Sequence, residues 1–211
     1  VDIHHYLSEL RDQSIEYVAL EASSHGLEQG RLSGVAIDIG VFTNLTHDHL
    51  DYHKTINAYL DAKRKLFVSS SMSLAIINVD DPSGHLLSTQ IKPQVWACSL
   101  EQIPRSYPKW SYGKVESFGL AGQRIEILTH QSKVTIQTKL LGEFNAYNLI
   151  MAHAALSSLG VSAYQAAIAL SSVEQIPSRM MVMDYDSLKP KVLIDFAHTP
   201  DALMHVLKCL K

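Results

Sequence analysis

The stretch Leu74-Ala75-Ile76-Ile77-Asn78-Val79 is apolar at every position but one. Such a run has no wet face, so a strand built from it must be covered on both sides. Val35 to Phe42 is a second near-continuous apolar run, interrupted by Asp38. Glu16-Tyr17-Val18-Ala19-Leu20 reads as a third buried strand, ending at Glu21. Segments of helical period lie between them. Ile3, Tyr6, Leu7 and Leu10 mark a helix over 3–12, and Ile56, Tyr59, Leu60, Lys63, Leu66 and Phe67 mark one over about 55–68. A short helix is predicted to start at Ser23 or Ser24, both good N-caps. Strands alternating with helices predict an α/β fold, a mostly parallel sheet flanked by helices.

The middle of the chain changes character. Gln94–Cys98, Arg124–Leu128 and Lys133–Thr138 are short strand-like runs without helical period, predicting a small antiparallel lobe over 94–140. Helices return at about 145–159 and 163–172. A segment with Pro177 reads as a hinge, followed by strands at Val182–Met183 and Val192–Ile194 and a helix from Pro200. The division expected is residues 1–176 and residues 177–211.

Composition narrows the class. Of 211 residues, 46% are apolar and 18% charged, which supports a packed core and excludes a disordered chain. The net charge of −3 lacks the basic excess of a nucleic-acid coating protein. Cys98 and Cys209 are far apart and form no CxxC pair, so a cytoplasmic location is expected. No apolar run approaches the roughly 18–20 residues that span a bilayer, so no membrane insertion is expected. No signal-peptide pattern opens the chain. Residue 1 is Val, and the last residues lie inside an apolar helical pattern, so the chain reads as a piece of something longer.

The densest polar cluster, Thr43-Asn44-Leu45-Thr46-His47-Asp48-His49-Leu50-Asp51-Tyr52-His53, follows the apolar run 35–42. Ligands of open α/β sheets bind beyond the C-terminal ends of strands. Glu21 has the same relation to the run 16–20. A carboxylate near a His/Asp loop makes a divalent-metal shell or an ordinary solvated loop. No thiolate or HExxH helix supports zinc. Lys63 lies on the apolar stripe of its helix, where a bare ammonium is costly unless it snorkels, is modified, or meets a polar site. Asn145 and Asn148 open a helix, as an N-cap and a first-turn residue or as a pair reading a base edge. Asp195 follows the strand 192–194. No GxxxxGK[ST] loop is present; Gly113-Lys114 lacks the required spacing.

Taken together, several motifs resemble the Mur ligases, the ATP-dependent amino-acid-adding enzymes of peptidoglycan synthesis. They are Glu21-Ala22-Ser23-Ser24-His25-Gly26-Leu27, Thr43-Asn44-Leu45, Asp48-His49-Leu50-Asp51-Tyr52-His53, Ala62-Lys63, Asn78-Val79-Asp80-Asp81, Gly142-Glu143-Phe144-Asn145-Ala146-Tyr147-Asn148 and Asp195-Phe196-Ala197-His198-Thr199-Pro200-Asp201-Ala202-Leu203. The resemblance implies a central ATPase domain over 1–176 and the start of a Rossmann-like C-terminal domain over 177–211. The Ser23–Leu27 and Asp195–Leu203 motifs favour the branch that adds meso-diaminopimelate or L-lysine to UDP-MurNAc-L-Ala-D-Glu through an acyl phosphate.

The resemblance also implies roles. Glu21 and His49 match Mg²⁺ ligands, with Mn²⁺ as an alternative ion, and Lys63 matches a carbamylated lysine that can hold metal. Ser23, Gln29, Arg31 and Asn44 match substrate-binding positions. Asn145, Asn148, Arg179 and Asp195 match ATP contacts. Where the family reads Gly-Arg-Met-Glu, this chain has Ser178-Arg179-Met180-Met181. The fold is also compatible with folylpolyglutamate- or cyanophycin-type ligases, or with a non-catalytic fragment that binds nucleotide or metal.

Overall fold

The computed structural model describes residues 3–46, 50–68, 71–119, 121–183 and 192–210. Helices α1 (Ile3–Asp12) and α2 (Ser24–Glu28) precede strand β1 (Ile39–Phe42). Helices α3 (Leu50–His53) and α4 (Ile56–Phe67) lead to β2 (Leu74–Asn78), α5 (Pro82–Gln90) and β3 (Gln94–Ser99). Then come β4 (Lys109–Gly119), β5 (Gly122–Thr129) and β6 (Lys133–Thr138). Helices α6 (Glu143–Ser158) and α7 (Ala163–Ser171) follow, and β7 (Met181–Met183), β8 (Val192–Ile194) and α8 (Pro200–Lys208) close the described chain.

One six-stranded sheet runs in the order β1-β2-β3-β4-β5-β6. The first four strands are parallel, and β4, β5 and β6 are antiparallel. Every residue of β2 is buried, as its unbroken apolar run requires. Its alternate side chains serve two cores. Leu74 and Ile76 join Trp96, Ile125, Ile127, Ile136, Leu149 and Ile150 beneath α6 and α7. Ala75 and Ile77 join Phe42, Leu60, Phe67 and Leu87 beneath α4 and α5. Each large apolar side chain so buried contributes about 1.5–3 kcal/mol. Thr55 caps α4 through Ala58 N at 3.1 Å, and Ser23 caps α2 through Gly26 N at 3.1 Å.

The α/β expectation holds, with local corrections. Gln94–Ser99 pairs in parallel with β2, so it belongs to the parallel half and not to a separate lobe. The antiparallel part continues the same sheet through β4, whose sequence has neither a clean alternation nor an apolar run and whose ladder is interrupted between Val115 and Ser117. The strand read over Val35–Phe42 narrows to Ile39–Phe42. Residues 16–20 belong to no strand, and all of them are exposed, Tyr17 at 64%. A strand exists only through a hydrogen-bonded neighbour, and among the described residues none pairs with this segment. β7 and β8 form their own antiparallel two-stranded sheet after the Pro177 segment.

Helix α5 starts hard against the end of β2. A Cβ on Gly84 would lie 2.1 Å from the Asn78 carbonyl oxygen, a backbone atom that cannot swing away. Gly84→Ala is therefore expected to cost about 2–3 kcal/mol of stability in denaturant unfolding. Gly119→Ala, where a Cβ meets nothing within 4 Å, is expected to change stability by less than about 0.5 kcal/mol.

Candidate active site

The polar groups that end β2 organise the neighbouring loops. Asn78 is buried, and its Nδ2 donates to the Thr43 carbonyl at 2.9 Å. The backbone N–H of Leu45 donates to Asp81 Oδ2 at 3.0 Å, while Asp81 Oδ1 caps α5 through Gly84 N at 2.9 Å. The loop after β1 is thus fastened on both sides of Asn44, whose side chain stays exposed. Asp80 takes a third direction: its carboxylate accepts from Ser99 Oγ at 2.7 Å, Leu100 N at 2.7 Å and Tyr147 Oη at 2.8 Å.

Helix α4 presents Lys63 toward Tyr59 and Glu21. Its stripe is as expected: Tyr59, Leu60 and Phe67 are buried, and Lys63 is half-buried among them. Desolvation lowers the Lys63 pKa, and the Glu21 carboxylate pulls it back up. Glu21 therefore lies close enough to act on the ammonium, although it follows an irregular segment instead of a strand. The Lys63 Nζ sits 5.4 Å from the Tyr59 ring centroid. Tyr59 in turn stacks on His53 at 5.0 Å with planes 8° apart, and His53 Nε2 is 2.9 Å from Ser24 Oγ. This column joins α4 to the start of α2, and α2 packs on α4. Lys65 and Glu28 add an exposed ion pair at 2.8 Å between the same helices.

The remaining expected residues fall into two further groups. Ser23 is exposed and caps α2, and close by Arg31 grips the Gln29 side-chain oxygen through Nε at 3.0 Å and Nη2 at 2.6 Å. At α6, the N-cap is Gly142, with φ 94° and no side-chain cap, so Asn145 is not the cap. Asn145 is buried; its Nδ2 donates to Leu141 O at 2.7 Å, and its Oδ1 accepts from Asn148 Nδ2 at 3.3 Å. Asn148 is exposed. After the Pro177 segment, Asp195 accepts from Met180 N at 2.8 Å and Ala197 N at 2.7 Å, and the Arg179 guanidinium lies 5.1 Å from the Phe196 ring. His47, Asp48 and His49 lie outside the described residues. Among the described residues, no three His, Cys, Asp or Glu side chains group as a metal shell.

Sequence reading offered Ser24 only as an N-cap and assigned no individual role to His53, Asp80 or Tyr147. The available signal was position: polar residues directly after an apolar strand, or on the inner face of a short helix, must find partners there.

Residues 1–156 match the family model of the Mur ligase middle domain. This chain belongs to the Mur ligase family. It is 36% identical over 211 residues to the UDP-N-acetylmuramoyl-L-alanyl-D-glutamate–2,6-diaminopimelate ligase of Vibrio parahaemolyticus, covering 100% of this chain and 42% of that protein. It is 39% identical over 217 residues to the same-named ligase of Chromobacterium violaceum, again covering 100% of this chain and 42% of the relative. A solved structure of a ligase with that name matches with TM-score 0.77 and 37% identity, over 94% of this chain and 40% of the other. The MurF ligase of Thermotoga maritima, solved with ADP, matches in fold alone, with TM-score 0.72 and 15% identity over 89% of this chain and 42% of that one. The chain thus spans about two fifths of the relatives it matches. Among the described residues, no helix is long and apolar enough to cross a membrane.

Two measurements test this geometry. Because burial lowers the Lys63 pKa, the folded state releases its proton before the unfolded state does. Stability in CO2-free buffer is then expected to rise with pH from the folded pKa up to the ordinary lysine value of about 10.4, and to level off above it. Lys63→Met is expected to remove that rise and to stabilise the chain at pH 7; equal pH profiles would show a solvated ammonium. Ser178 occupies φ 58°, a left-handed conformation. Ser178→Gly is expected to raise stability by about 0.5–1 kcal/mol, the steric relief exceeding the added chain entropy.

Proposed function

We propose that this chain is the central part of a cytoplasmic MurE-type ligase, an ATP-dependent, ADP-forming enzyme that adds meso-diaminopimelate (or L-lysine) to UDP-MurNAc-L-Ala-D-Glu. Residues 1–176 would carry the ATP-binding domain and residues 177–211 the start of the C-terminal domain. The observation that carries the reading is the desolvated Lys63 beside Glu21, on a chain 36% and 39% identical to two enzymes bearing that name.

The chemistry of the pair supports the carbamate. Carbamylation needs a neutral amine: the Lys63 nitrogen forms a bond to CO2 carbon, and one proton leaves to solvent. Burial raises the fraction of neutral amine at pH 7. The product would put a second anion near Glu21, and two such groups fit together only around a cation. Glu21, the Lys63 carbamate and His49 would hold Mg²⁺, or Mn²⁺. The ion, when bound, neutralises charge on the transferring phosphoryl group.

The other residues bind and orient. Ser23, Gln29, Arg31 and Asn44 would face the UDP-MurNAc-dipeptide. The Arg31–Gln29 fork pre-orients a guanidinium for an anionic group, and the two anchors flanking Asn44 fix the backbone that carries it. Asn148 would meet the adenine base, oriented by Asn145. Arg179 would reach the phosphates and Asp195 the ribose, the latter exchanging one of its present backbone donors for a hydroxyl.

The decisive measurement uses the complete ligase carrying this chain. Lys63→Ala is expected to lower ligation by roughly 10²–10³-fold, without restoration by bicarbonate. Wild-type protein in ¹³C-bicarbonate should show a carbamate carbon signal that Lys63→Ala lacks. Normal turnover of the variant would overturn the carbamate role.

A further inference from the structure

Helix α6 begins without the usual lock. Its N-cap is Gly142, which has no side chain to satisfy the first-turn N–H groups. Its exposed amide, Asn148, has one weak side-chain bond, 3.3 Å to Asn145. The direction in which Asn148 points therefore depends on how α6 is rotated about its own axis. Between these two asparagines stands Tyr147, half-buried, with its hydroxyl 2.8 Å from Asp80 Oδ2.

Asp80 is an unusually firm anchor for that bond. It sits just beyond β2, whose residues are all buried. Its Oδ1 accepts from Ser99 Oγ at 2.7 Å, and its Oδ2 accepts from Leu100 N at 2.7 Å and Glu101 N at 3.3 Å. Its own N–H donates to Asn78 Oδ1 at 3.1 Å. The carboxylate thus joins three pieces of chain: the end of β2, the turn after β3, and the first turns of α6. Burial and the hydrogen bond to the Asp80 carboxylate push the Tyr147 phenol far above its ordinary pKa, so it stays protonated as the donor in this bond.

We propose that Tyr147 and Asp80 are positioning residues that hold the first turns of α6, on top of its core packing, and so aim Asn148 at the nucleotide base. The inference rests on the ATP-binding reading above and adds a specificity element to it. The phenol–carboxylate bond ties the first turns of α6 to Asp80, and it links base recognition to the strand end that also fastens the loop around Asn44.

The test is steady-state kinetics of the complete ligase with ATP and with GTP. Tyr147→Phe keeps the ring and removes only the hydroxyl. It is expected to raise the KM for ATP about 10-fold, the loss of one charge-assisted hydrogen bond, with kcat within about twofold. The preference for ATP over GTP in kcat/KM should fall by a similar factor. Ser99→Ala removes a different donor to the same carboxylate, away from α6, and should leave the ATP-to-GTP preference unchanged. A fall in kcat with KM and base preference intact would overturn the positioning role, as would equal effects of the two variants on base preference. A wild-type enzyme that ligates without any nucleoside triphosphate would overturn the ATP-binding reading, and the positioning role with it.

Discussion

The satisfaction of buried polar groups at the end of β2 is the constraint on which the rest of the structure depends. An apolar strand buried on both faces ends in the buried Asn78, with the half-buried Asp80 and Asp81 close behind. Each side chain must find donors or acceptors in the protein, since an unpaired group there costs about 1–3 kcal/mol. Each finds them in a different direction. Asn78 and Asp81 hold the loop after β1, Asp81 also starts α5, and Asp80 holds the turn after β3 and the first turns of α6. The same short sequence that ends a strand therefore fixes the relative placement of the loop with Asn44 and the helix with Asn148.

Lys63 is governed by the opposite effect. It is a charged group left under-solvated, with a lowered pKa and a carboxylate near enough to act on it. A stable ion pair would hold the ammonium; partial burial with Glu21 at reach instead leaves an amine that can exchange its proton. The column Ser24–His53–Tyr59 beneath it is packed and buried, so the amine rests on a rigid support. Reactivity on a rigid support is the combination expected of a functional lysine.

The segment after Pro177 carries a different kind of stored cost. Ser178 and Met180 both take positive φ without being glycine, at 58° and 47°. Asp195 compensates by accepting the Met180 N–H, and Arg179 is directed at Phe196 between them. The serine that stands in for the family's glycine is thus accommodated by neighbouring contacts instead of by backbone freedom.

Much of this was legible in the sequence. The apolar run 74–79, the helical stripe through Lys63, the cap candidate at Ser23, and the motif order of a Mur ligase depend on local periodicity and residue type, which no distant contact alters. The run 16–20 shows where that logic stops: its composition is that of a strand, yet strand formation requires a partner edge, a non-local condition. The same holds for the site. Residue order alone identified Glu21, Lys63 and Asn148 as candidates. Only the tertiary structure decided that Glu21 acts on Lys63, that Asn145 is buried support for Asn148, and that Asp80 and Tyr147, sixty-seven positions apart, share one hydrogen bond. Side-chain partners across such separations are chosen by how the sheet and its covering helices close on one another.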